Sequence, residues 1–585
     1  MKFLLKYLFL LLLSATIVSC SVKPVRKAVI LFTTDVHGVI LPYDFIEKKE
    51  IDVSLAGVSS YVNKVREENN TVVLLDDGDN LQGQPPVYYS NFIDTVSPHI
   101  NAEAMNFMGY DAATVGNHDI EAGHSVYDRL TGEYKFPLLA ANAVDTRTGN
   151  PYFKPYTIIE KSGIKIAVLG MITTGVPGWL PPELYSGIEF RDLYETARKF
   201  MPEILGKRPD LVVGLFHTGW DEPGKKGEEG SHYEENGAYR IARDIEGFDI
   251  ILCGHNHNTI NRKIANSKGD TVLVIEGGSR AEKIGRADVL FTNDLKSGRA
   301  GKLITGKLIN VDNYEPDPEF MQKFEGQKNK LLDYVNRKIA VSEATISTRD
   351  SYFGSSPFVD MIHSIQLAIT GADISFAAPL SFDVSIPAGP VTVGDMFKLY
   401  RFENLLYTMK LSGAEIKKYL EFSYADWINT MKGPGDHLLK FKLDEKGKPV
   451  IRNGEAWLRN QPYNFDSAAG IDYTVDASRK EGDRIVIRSF SNGKPFEKDK
   501  IYTVAINSYR GNGGGGHLTA GAGISKDDLP KRLVRSTEKD LRFYILKDLE
   551  EKGTIRPFAY NNWKIIPEKW VSRAKSADYD LLFGK

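Results

Sequence analysis

The stretch Ala28-Val29-Ile30-Leu31-Phe32-Thr33-Thr34-Asp35-Val36-His37-Gly38 places an unbroken apolar run directly before a polar Asp-x-His-Gly cluster. Similar apolar runs recur along the first half of the chain and alternate with polar, helix-like segments, the pattern of a layered α/β fold. They predict strands at 28–32, 71–75, 112–115, 164–171, 211–216, 250–253 and 272–275. Apolar residues at helical spacing between positions 55 and 65 predict a helix that joins the first two strands as a βαβ unit.

Polar clusters follow five of these strands: Asp35-Val36-His37-Gly38, Asp77-Gly78-Asp79-Asn80, Gly116-Asn117-His118-Asp119, His217-Thr218-Gly219 and Gly254-His255-Asn256-His257. The carboxyl ends of strands in an α/β sheet converge on one crevice, so these side chains are expected to meet. One such cluster alone is more typical of a turn or cap, but five in these places indicate a shared site.

The donors in these clusters are oxygen and imidazole nitrogen, without thiolate. Such donors suit Zn, Mn, Fe or a similar divalent ion, and the number of ligands suggests two ions. Two ions close together clamp the attacking and leaving oxygens of an in-line phosphoryl displacement. The sequence therefore predicts hydrolysis of a phosphate ester with two divalent metal ions as cofactors.

Length and composition limit the remaining possibilities. A chain of 585 residues is too long for one core, so at least two domains are expected. Hydrophobic residues make up 42% and charged residues 26%, which excludes a disordered chain. Lys plus Arg number 74 against 76 Asp plus Glu, so the chain lacks the basic excess that binding to long nucleic acid requires.

The N-terminus reads as an export signal over residues 1–19, with Lys2 and Lys6 before a short apolar run. The ending Ile17-Val18-Ser19-Cys20 resembles the lipobox of bacterial lipoproteins. That resemblance implies acylation of Cys20, a tether over 20–27 and an exported protein anchored by lipid in the bacterial cell envelope, in the periplasm or outer membrane. The alternative is an ordinary cleaved signal with an incidental Cys20. Cys253 ends an apolar run, which favours a buried thiol over a nucleophile.

The five clusters resemble, in the same order, the five motifs of the calcineurin-like metallophosphoesterases. The form Thr33-Thr34-Asp35-Val36-His37-Gly38, with the long C-terminal half, is similar to the bacterial 5'-nucleotidase family. The resemblance implies a four-layer α/β/β/α sandwich over 28–312, a linker helix over 313–340, and a second α/β domain for substrate specificity over 341–565. Residues 566–585 are then a tail.

The resemblance also implies roles for the clustered residues. Asp35, His37 and His257 would hold one metal, Asn117, His217 and His255 the other, and Asp79 would bridge both. His118 would be the catalytic histidine. The family usually reads G-N-H-E-F-D where this chain reads Gly116-Asn117-His118-Asp119-Ile120-Glu121. Glu121, three residues after His118, can orient the ring, with Asp119 as the competing candidate and an exposed turn carboxylate as the alternative for both.

The C-terminal half resembles the domain in which this family stacks a nucleobase between two aromatic rings. The resemblance selects Phe402 with Asn404 beside it, and Tyr509 in the second segment. The segment 376–382 lacks the arginine of typical 5'-nucleotidases, which favours the 2',3'-cyclic-nucleotide 2'-phosphodiesterase/3'-nucleotidase branch. The expected function is therefore hydrolysis of 2',3'-cyclic nucleotides and 3'-nucleotides to nucleosides and phosphate, for nucleotide scavenging, by a monomer. The alternatives are a 5'-nucleotidase or nucleotide-sugar hydrolase with the same metal site, and a non-catalytic nucleotide-binding surface lipoprotein.

Overall fold

A computed structural model describes residues 26–221, 235–293, 300–452 and 454–584 of the chain. The predicted signal, Cys20 and most of the tether lie outside the described residues. Within the described ranges, every helix is too short or too polar to cross a bilayer.

Two six-stranded sheets form the centre of the N-terminal half. The first contains, in spatial order, Ala300–Asn310, Lys283–Asn293, Arg26–Thr33, Val72–Asp76, Ala112–Thr114 and Leu138–Leu139. The second contains Thr259–Ala265, Thr271–Gly277, Ile250–Cys253, Leu211–His217, Ile164–Ile172 and Tyr156–Lys161. One apolar cluster joins the inner faces of the two sheets, with Ile30 and Leu75 from the first packed with Val213 and Leu252 from the second. All seven predicted strands are present.

Helices cover the outer face of each sheet. Leu55–Glu68, Ile100–Met108 and Pro318–Asn336 lie on the first sheet, and Leu193–Gly206 and Ala238–Asp244 lie on the second. The strands Arg26–Thr33 and Val72–Asp76 pair in parallel, and the helix Leu55–Glu68 lies between them in the chain, as the βαβ prediction required. The expected four layers, α/β/β/α, are therefore present, and the predicted linker helix packs on the N-terminal core through Phe320, Phe324, Leu331 and Val335.

The C-terminal half is a second α/β unit built on a five-stranded mixed sheet. Its strands are, in spatial order, Ser467–Ala469, Ile374–Ala377, Ile501–Asn507, Leu405–Ser412 and Leu533–Asp540. The helices of this half include Pro357–Thr370, Val393–Leu399, Gly413–Trp427, Leu541–Lys552 and Glu568–Phe583. This half also contains two small three-stranded sheets: Gly389–Thr392 with Lys338–Ser342 and Thr554–Ile555, and Ile485–Phe490 with Ile471–Asp476 and Trp563–Ile566.

The predicted tail contains a helix that belongs to the C-terminal core. Glu568–Phe583 is helical and buries Ala574, Asp578 and Leu582. The Asp578 carboxylate accepts hydrogen bonds from the backbone N–H groups of Leu438 and Leu439 at 2.8 and 2.9 Å. The sequence did not reveal this helix because one of the three positions on its buried face is an aspartate, which interrupts the apolar pattern.

Candidate dimetal active site

The predicted site residues come from the turns that follow the central strands of both sheets. Arg26–Thr33 leads to Asp35 and His37, Val72–Asp76 to Asp79, Ala112–Thr114 to Asn117 and His118, Leu211–His217 ends on His217, and Ile250–Cys253 leads to His255 and His257. Five of these residues have a left-handed backbone, with φ of 50° at Asp35 and His37, 58° at Asp79, 75° at His255 and 59° at His257. Residues other than glycine rarely adopt this conformation, and such strain concentrates at functional sites.

Two glycines of the clusters allow the turns to approach one another. A Cβ atom at Gly78, whose φ is 85°, would lie 2.4 Å from the backbone nitrogen of Gly116. A Cβ atom at Gly254 would lie 2.6 Å from Oδ2 of Asp35. Any other residue at these two positions would push the turns apart, so both glycines are required by the close packing of the site.

One group of candidate ligands consists of Asp35, His37 and His257, whose donor atoms all lie within 4.8 Å of one another. The Nε2 atoms of His37 and His257 are 3.0 Å apart, and Nε2 of His257 is 3.3 Å from Oδ1 of Asp35. Nδ1 of His37 lies 3.1 Å from the carbonyl oxygen of Gln82, a contact that fixes the tautomer and directs Nε2 into the group. Burial, reinforced by the nearby His118 ring, lowers the pKa of His37 to about 4, so this ring is neutral as metal binding requires.

A second group consists of Asp79, His217 and His255, again with donor atoms within 4.8 Å. Nε2 of His217 is 3.1 Å from Oδ2 of Asp79 and 3.2 Å from Oδ1 of Asn117. Nδ1 of His217 lies 2.5 Å from the carbonyl oxygen of Asp77, which orients the ring. The first group is one of the two ligand sets that the resemblance implies, and the second contains His217 and His255 of the other set together with Asp79, with Asn117 beside them. The donor atoms are carboxylate, amide and imidazole, which fit two divalent cations.

Asp79 lies between the second group and the predicted catalytic residue. Its Oδ2 faces His217, and its Oδ1 accepts a hydrogen bond from the backbone N–H of His118 at 2.7 Å. Burial disfavours the charged carboxylate, but His217 and His118 outweigh that cost and hold the pKa of Asp79 well below its usual range. Asp79 is therefore ionised, and its role as the bridge between two metals remains a prediction.

Glu121 and Asp119 make different contacts around His118. Nδ1 of His118 lies 2.5 Å from Oε2 of Glu121. The Asp119 carboxylate instead accepts hydrogen bonds from the backbone N–H groups of Gly116, Asp79, Asn80 and Leu81 at 2.8 to 3.1 Å. Burial opposes protonation of His118, but the charges of Asp79 and Glu121 raise the pKa of the ring to about 9. The geometry therefore pairs the histidine with Glu121 and leaves Asp119 to fasten two turns.

The predicted substrate residues lie at one end of the C-terminal sheet. Strands Leu405–Ser412 and Ile501–Asn507 pair with Leu406 opposite Asn507, so Phe402 and Tyr509 flank the same end of the pair. The backbone N–H of Leu405 donates to Oγ of Ser508 at 3.1 Å, which joins the two segments. Phe402 and Tyr509 are both half-buried, whereas Asn404 is buried. Phe402 meets Tyr463 edge to face at 5.9 Å, and the Tyr509 ring packs on Gly514, where a Cβ atom would lie 2.5 Å from the ring.

Two further residues, which the sequence did not indicate, lie against the site. The Trp179 ring stacks on the His255 ring with centroids 5.3 Å apart, and the Trp179 carbonyl accepts a hydrogen bond from the Asn512 side chain of the C-terminal half at 3.3 Å. Oε1 of Glu235 lies 3.1 Å from Nε2 of His255. Neither residue belongs to a recognisable cluster, so only the folded chain reveals its place.

Comparison with known proteins agrees with this architecture. Residues 28–259 match the family model of calcineurin-like phosphoesterases, and residues 338–521 match that of the 5'-nucleotidase C-terminal domain. Calcineurin-like phosphoesterases use a dimetal site, which the two groups of candidate ligands can provide.

Curated relatives resemble the chain over most of its length. The chain is 25% identical to the 2',3'-cyclic-nucleotide 2'-phosphodiesterase/3'-nucleotidase of Haemophilus influenzae, over 92% of this chain and 87% of that protein. It is 26% identical to the 5'-nucleotidase of Vibrio parahaemolyticus, over 86% and 88%. It is 25% identical to the trifunctional nucleotide phosphoesterase protein YfkN of Bacillus subtilis, but 94% of this chain covers only 39% of that longer protein.

Solved structures share the fold over most of the chain. A putative 5'-nucleotidase from Staphylococcus aureus matches with a TM-score of 0.74 and 21% identity, over 92% of this chain and 100% of that one. A 5'-nucleotidase precursor from Thermus thermophilus matches with a TM-score of 0.60 and 20% identity, over 93% and 100%. The chain therefore belongs to the family of metal-dependent nucleotide phosphoesterases that join a calcineurin-like phosphoesterase domain to a 5'-nucleotidase C-terminal domain.

Proposed function

We propose that this protein hydrolyses 2',3'-cyclic nucleotides and 3'-nucleotides to nucleosides and phosphate. The observation that carries the proposal is the convergence of all seven predicted metal ligands and His118 on one edge of the sandwich. Two divalent ions, zinc, manganese or similar, supply the Lewis-acid clamp for an in-line displacement when they are bound there. The relatives named as cyclic phosphodiesterases and 3'-nucleotidases, which the chain covers almost fully, support this choice of substrate.

His118 acts on the reacting phosphate in this proposal. Its Nδ1 is held by Glu121, so Nε2 is the atom free to face the cleft. A protonated ring at that position donates a hydrogen bond to a phosphate oxygen or a proton to the departing ribose oxygen. The charges of Asp79 and Glu121 raise the pKa of His118 to about 9, which favours the protonated ring that either role requires. Glu121 acts through His118 and is a positioning residue.

Phe402 and Tyr509 hold the nucleobase, with Asn404 beside the first ring. Stacking tolerates every base, which suits an enzyme that recovers nucleosides from mixed nucleotides. The segment 376–382 contributes apolar and small residues, with Ala377, Ala378 and Leu380 buried, and no cation for a 5'-phosphate. Discrimination then depends on how the ribose presents its 2'- and 3'-oxygens to the metals. The second candidate is a 5'-nucleotidase, which the V. parahaemolyticus relative favours.

A substrate panel tests the proposal. The full chain, reconstituted separately with zinc and manganese, is assayed on 2',3'-cyclic AMP, 3'-AMP and 5'-AMP. The proposal expects kcat/KM for the first two to exceed that for 5'-AMP. A higher kcat/KM for 5'-AMP would replace it with the 5'-nucleotidase alternative, and bound nucleotide without turnover would indicate the binding lipoprotein.

We also propose that the protein is exported and anchored to the cell envelope through an acylated Cys20. The lipobox-like ending Ile17-Val18-Ser19-Cys20 is the support for this assignment. Expression in a bacterial host should place the wild type in the membrane fraction. The Cys20→Ser variant should either be released from the membrane or keep its uncleaved signal. Equal release of both proteins would favour an ordinary cleaved signal.

A further inference from the structure

A buried arginine–glutamate pair lies where the two halves of the chain meet. The side chains of Arg542 and Glu403 are about 2% and 3% exposed, and Nη1 of Arg542 is 3.5 Å from Oε1 of Glu403. Among the described residues, neither this Nη1 nor either carboxylate oxygen of Glu403 has a hydrogen-bond partner. Burying a guanidinium and a carboxyl group without full hydrogen bonding is costly, so this pair is an unusual feature of the protein interior.

The other donors of Arg542 hold the segment that contains the predicted nucleobase residues. Nε of Arg542 donates to the carbonyl oxygen of Tyr400 at 3.0 Å, and Nη2 donates to that of Arg401 at 2.7 Å. These are the two residues directly before Phe402. At the other end, the carbonyl of Asn404 accepts a hydrogen bond from the backbone N–H of Leu541 at 2.8 Å. The start of the helix Leu541–Lys552 thus fastens the segment 400–404 on both sides of Phe402.

The same guanidinium contacts the N-terminal half. Its carbon lies 4.7 Å from the ring centre of Tyr88 and 4.1 Å from that of Phe397. Tyr88 belongs to the N-terminal helix Pro85–Phe92, and its hydroxyl donates to Oδ2 of Asp540 at 3.1 Å. Just before this helix, the backbone N–H of Gln84 donates to the carbonyl of His37, a predicted metal ligand, at 3.1 Å. Arg542 therefore lies between the helix next to the metal site and the segment 400–404.

Glu403 and the neighbouring Phe402 differ in their exposure to solvent. Burial raises the pKa of Glu403 to about 8 against the pull of Arg542, and the charge of Glu121 adds to the rise. Glu403 is buried at the centre of the segment, whereas the preceding Phe402 is half-exposed. One residue thus anchors the segment while its neighbour remains accessible to a ligand.

We propose that Arg542, together with Glu403, is a positioning residue that sets the distance between the base-stacking ring of Phe402 and the phosphate site at His118. The inference rests on the proposed function, because it needs a nucleotide that spans both places. Loss of the guanidinium would free the carbonyls of Tyr400 and Arg401 and let the segment 400–404 shift. The protein would then bind a nucleotide less tightly, whereas its affinity for a small phosphodiester that reaches only the metal site would fall much less.

The test compares 3'-AMP with bis(p-nitrophenyl) phosphate on the full metal-loaded chain. Arg542→Met should raise KM for 3'-AMP about tenfold and lower the ratio of kcat/KM between the nucleotide and the chromogenic ester at least fivefold. Arg542→Lys keeps the charge but can reach only one carbonyl, so it should restore part of the ratio. The matched control is Arg556→Met, which removes an exposed arginine paired with Glu343 in the same half and should leave the ratio within twofold of wild type.

Three results would overturn the inference. The first is an unchanged ratio of kcat/KM between the two substrates in a folded Arg542→Met variant. The second is an equal loss of kcat/KM on both substrates, and the third is failure of Arg542→Lys to recover any of the ratio. If Arg542→Met does not fold, Glu403→Gln, which keeps the side-chain volume, gives the same reading with an expected KM rise of about threefold. The wild type distinguishes failure of the proposed function from failure of the positioning role. If it hydrolyses ribose 3-phosphate as well as 3'-AMP, the proposed recognition of the nucleobase is wrong. If the preference for 3'-AMP survives Arg542→Met and Glu403→Gln, only the positioning role is refuted.

Discussion

Nδ1 of His118 lies 2.5 Å from Oε2 of Glu121, while the carboxylate of Asp119, directly after His118 in the chain, turns away to backbone N–H groups. Two neighbouring carboxylates thus have separate tasks. Glu121 holds Nδ1 of the ring, and Asp119 joins the turn of Asp79 to the turn of Gly116. Each task has its own experimental signature.

Replacement of His118 should slow chemistry without emptying the metal site. We expect His118→Asn to lower kcat by about two to four orders of magnitude, the usual contribution of general acid–base catalysis. Glu121→Gln should produce a smaller drop in the same direction, because it weakens the orientation of the ring. Steady-state kinetics with metal analysis of the same samples checks both. Loss of metal in His118→Asn would make His118 a ligand instead.

Replacement of Asp119 should have the opposite signature. Asp119→Asn weakens the hydrogen bonds to Gly116, Asp79 and Asn80, which hold the turns in place. We expect a lower melting temperature and less bound metal, with kcat per fully loaded molecule close to wild type. Calorimetry and metal analysis measure these quantities. A variant with normal metal content but a large fall in kcat would assign the orienting role to Asp119 after all.

Loss of the second aromatic ring should affect nucleotides selectively. Tyr509→Ala should raise KM for 3'-AMP by the equivalent of roughly 1 to 3 kcal/mol of lost stacking. A small chromogenic phosphodiester, which does not reach the C-terminal half, should be affected much less. Tyr560→Ala removes an exposed tyrosine of the same half and is the matched control. Equal effects of the two substitutions on KM would rule out a stacking role for Tyr509.

Three buried histidines away from the metal ligands should make the fold sensitive to acid. Burial lowers the pKa of His99 and His363 to about 3 and that of His517 to about 4. An unfolded histidine takes up its proton near pH 6.5, so between these values the unfolded chain binds more protons and stability falls as pH falls. Each ring should cost on the order of 2 kcal/mol at pH 5.

His363 offers a direct check on this dependence, because its ring is fully buried between Oγ of Ser375 at 2.9 Å and Oγ of Ser467 at 3.2 Å. His363→Gln should be less stable at pH 7 but should lose less stability between pH 7 and pH 5 than the wild type. Melting temperatures at several pH values in this range measure the two slopes. Parallel slopes would mean that His363 is protonated in the folded protein.

Local patterns were sufficient for the strands and for the clusters at their ends. The apolar run 28–32 and the cluster at Asp35 and His37 are adjacent in sequence, so both could be predicted together. The approach of His37 to Asp79 followed from the rule that parallel strands of one sheet end at the same edge, because the two residues follow neighbouring strands. His217 ends a strand of the second sheet and meets Asp79 because the two sheets pack face to face. The helix Glu568–Phe583 was missed because its buried Asp578 interrupts the apolar pattern.

Contacts between distant segments could not be predicted. The choice between Glu121 and Asp119 as the partner of His118 depends on which way each carboxylate points. Asp119 points to the backbone N–H groups around Asp79, which leaves Glu121 to contact the ring. The stacking of Trp179 on His255 and the reach of Arg542 to Tyr400 join residues far apart in the chain. No spacing in the sequence encodes these contacts, because each joins segments that meet only after the domain that contains them has folded.

The central claim is that turnover needs two metal ions held by the two groups of ligands around Asp79. The most direct measurement is activity on 3'-AMP during stepwise addition of zinc or manganese to chelator-stripped protein, with bound metal counted at each step. We predict that wild-type activity rises to a plateau at two equivalents, and that Asp79→Ala binds less than one equivalent and remains inactive. Full activity of the stripped wild type, a plateau at one equivalent, or full activity of Asp79→Ala would contradict the dimetal mechanism.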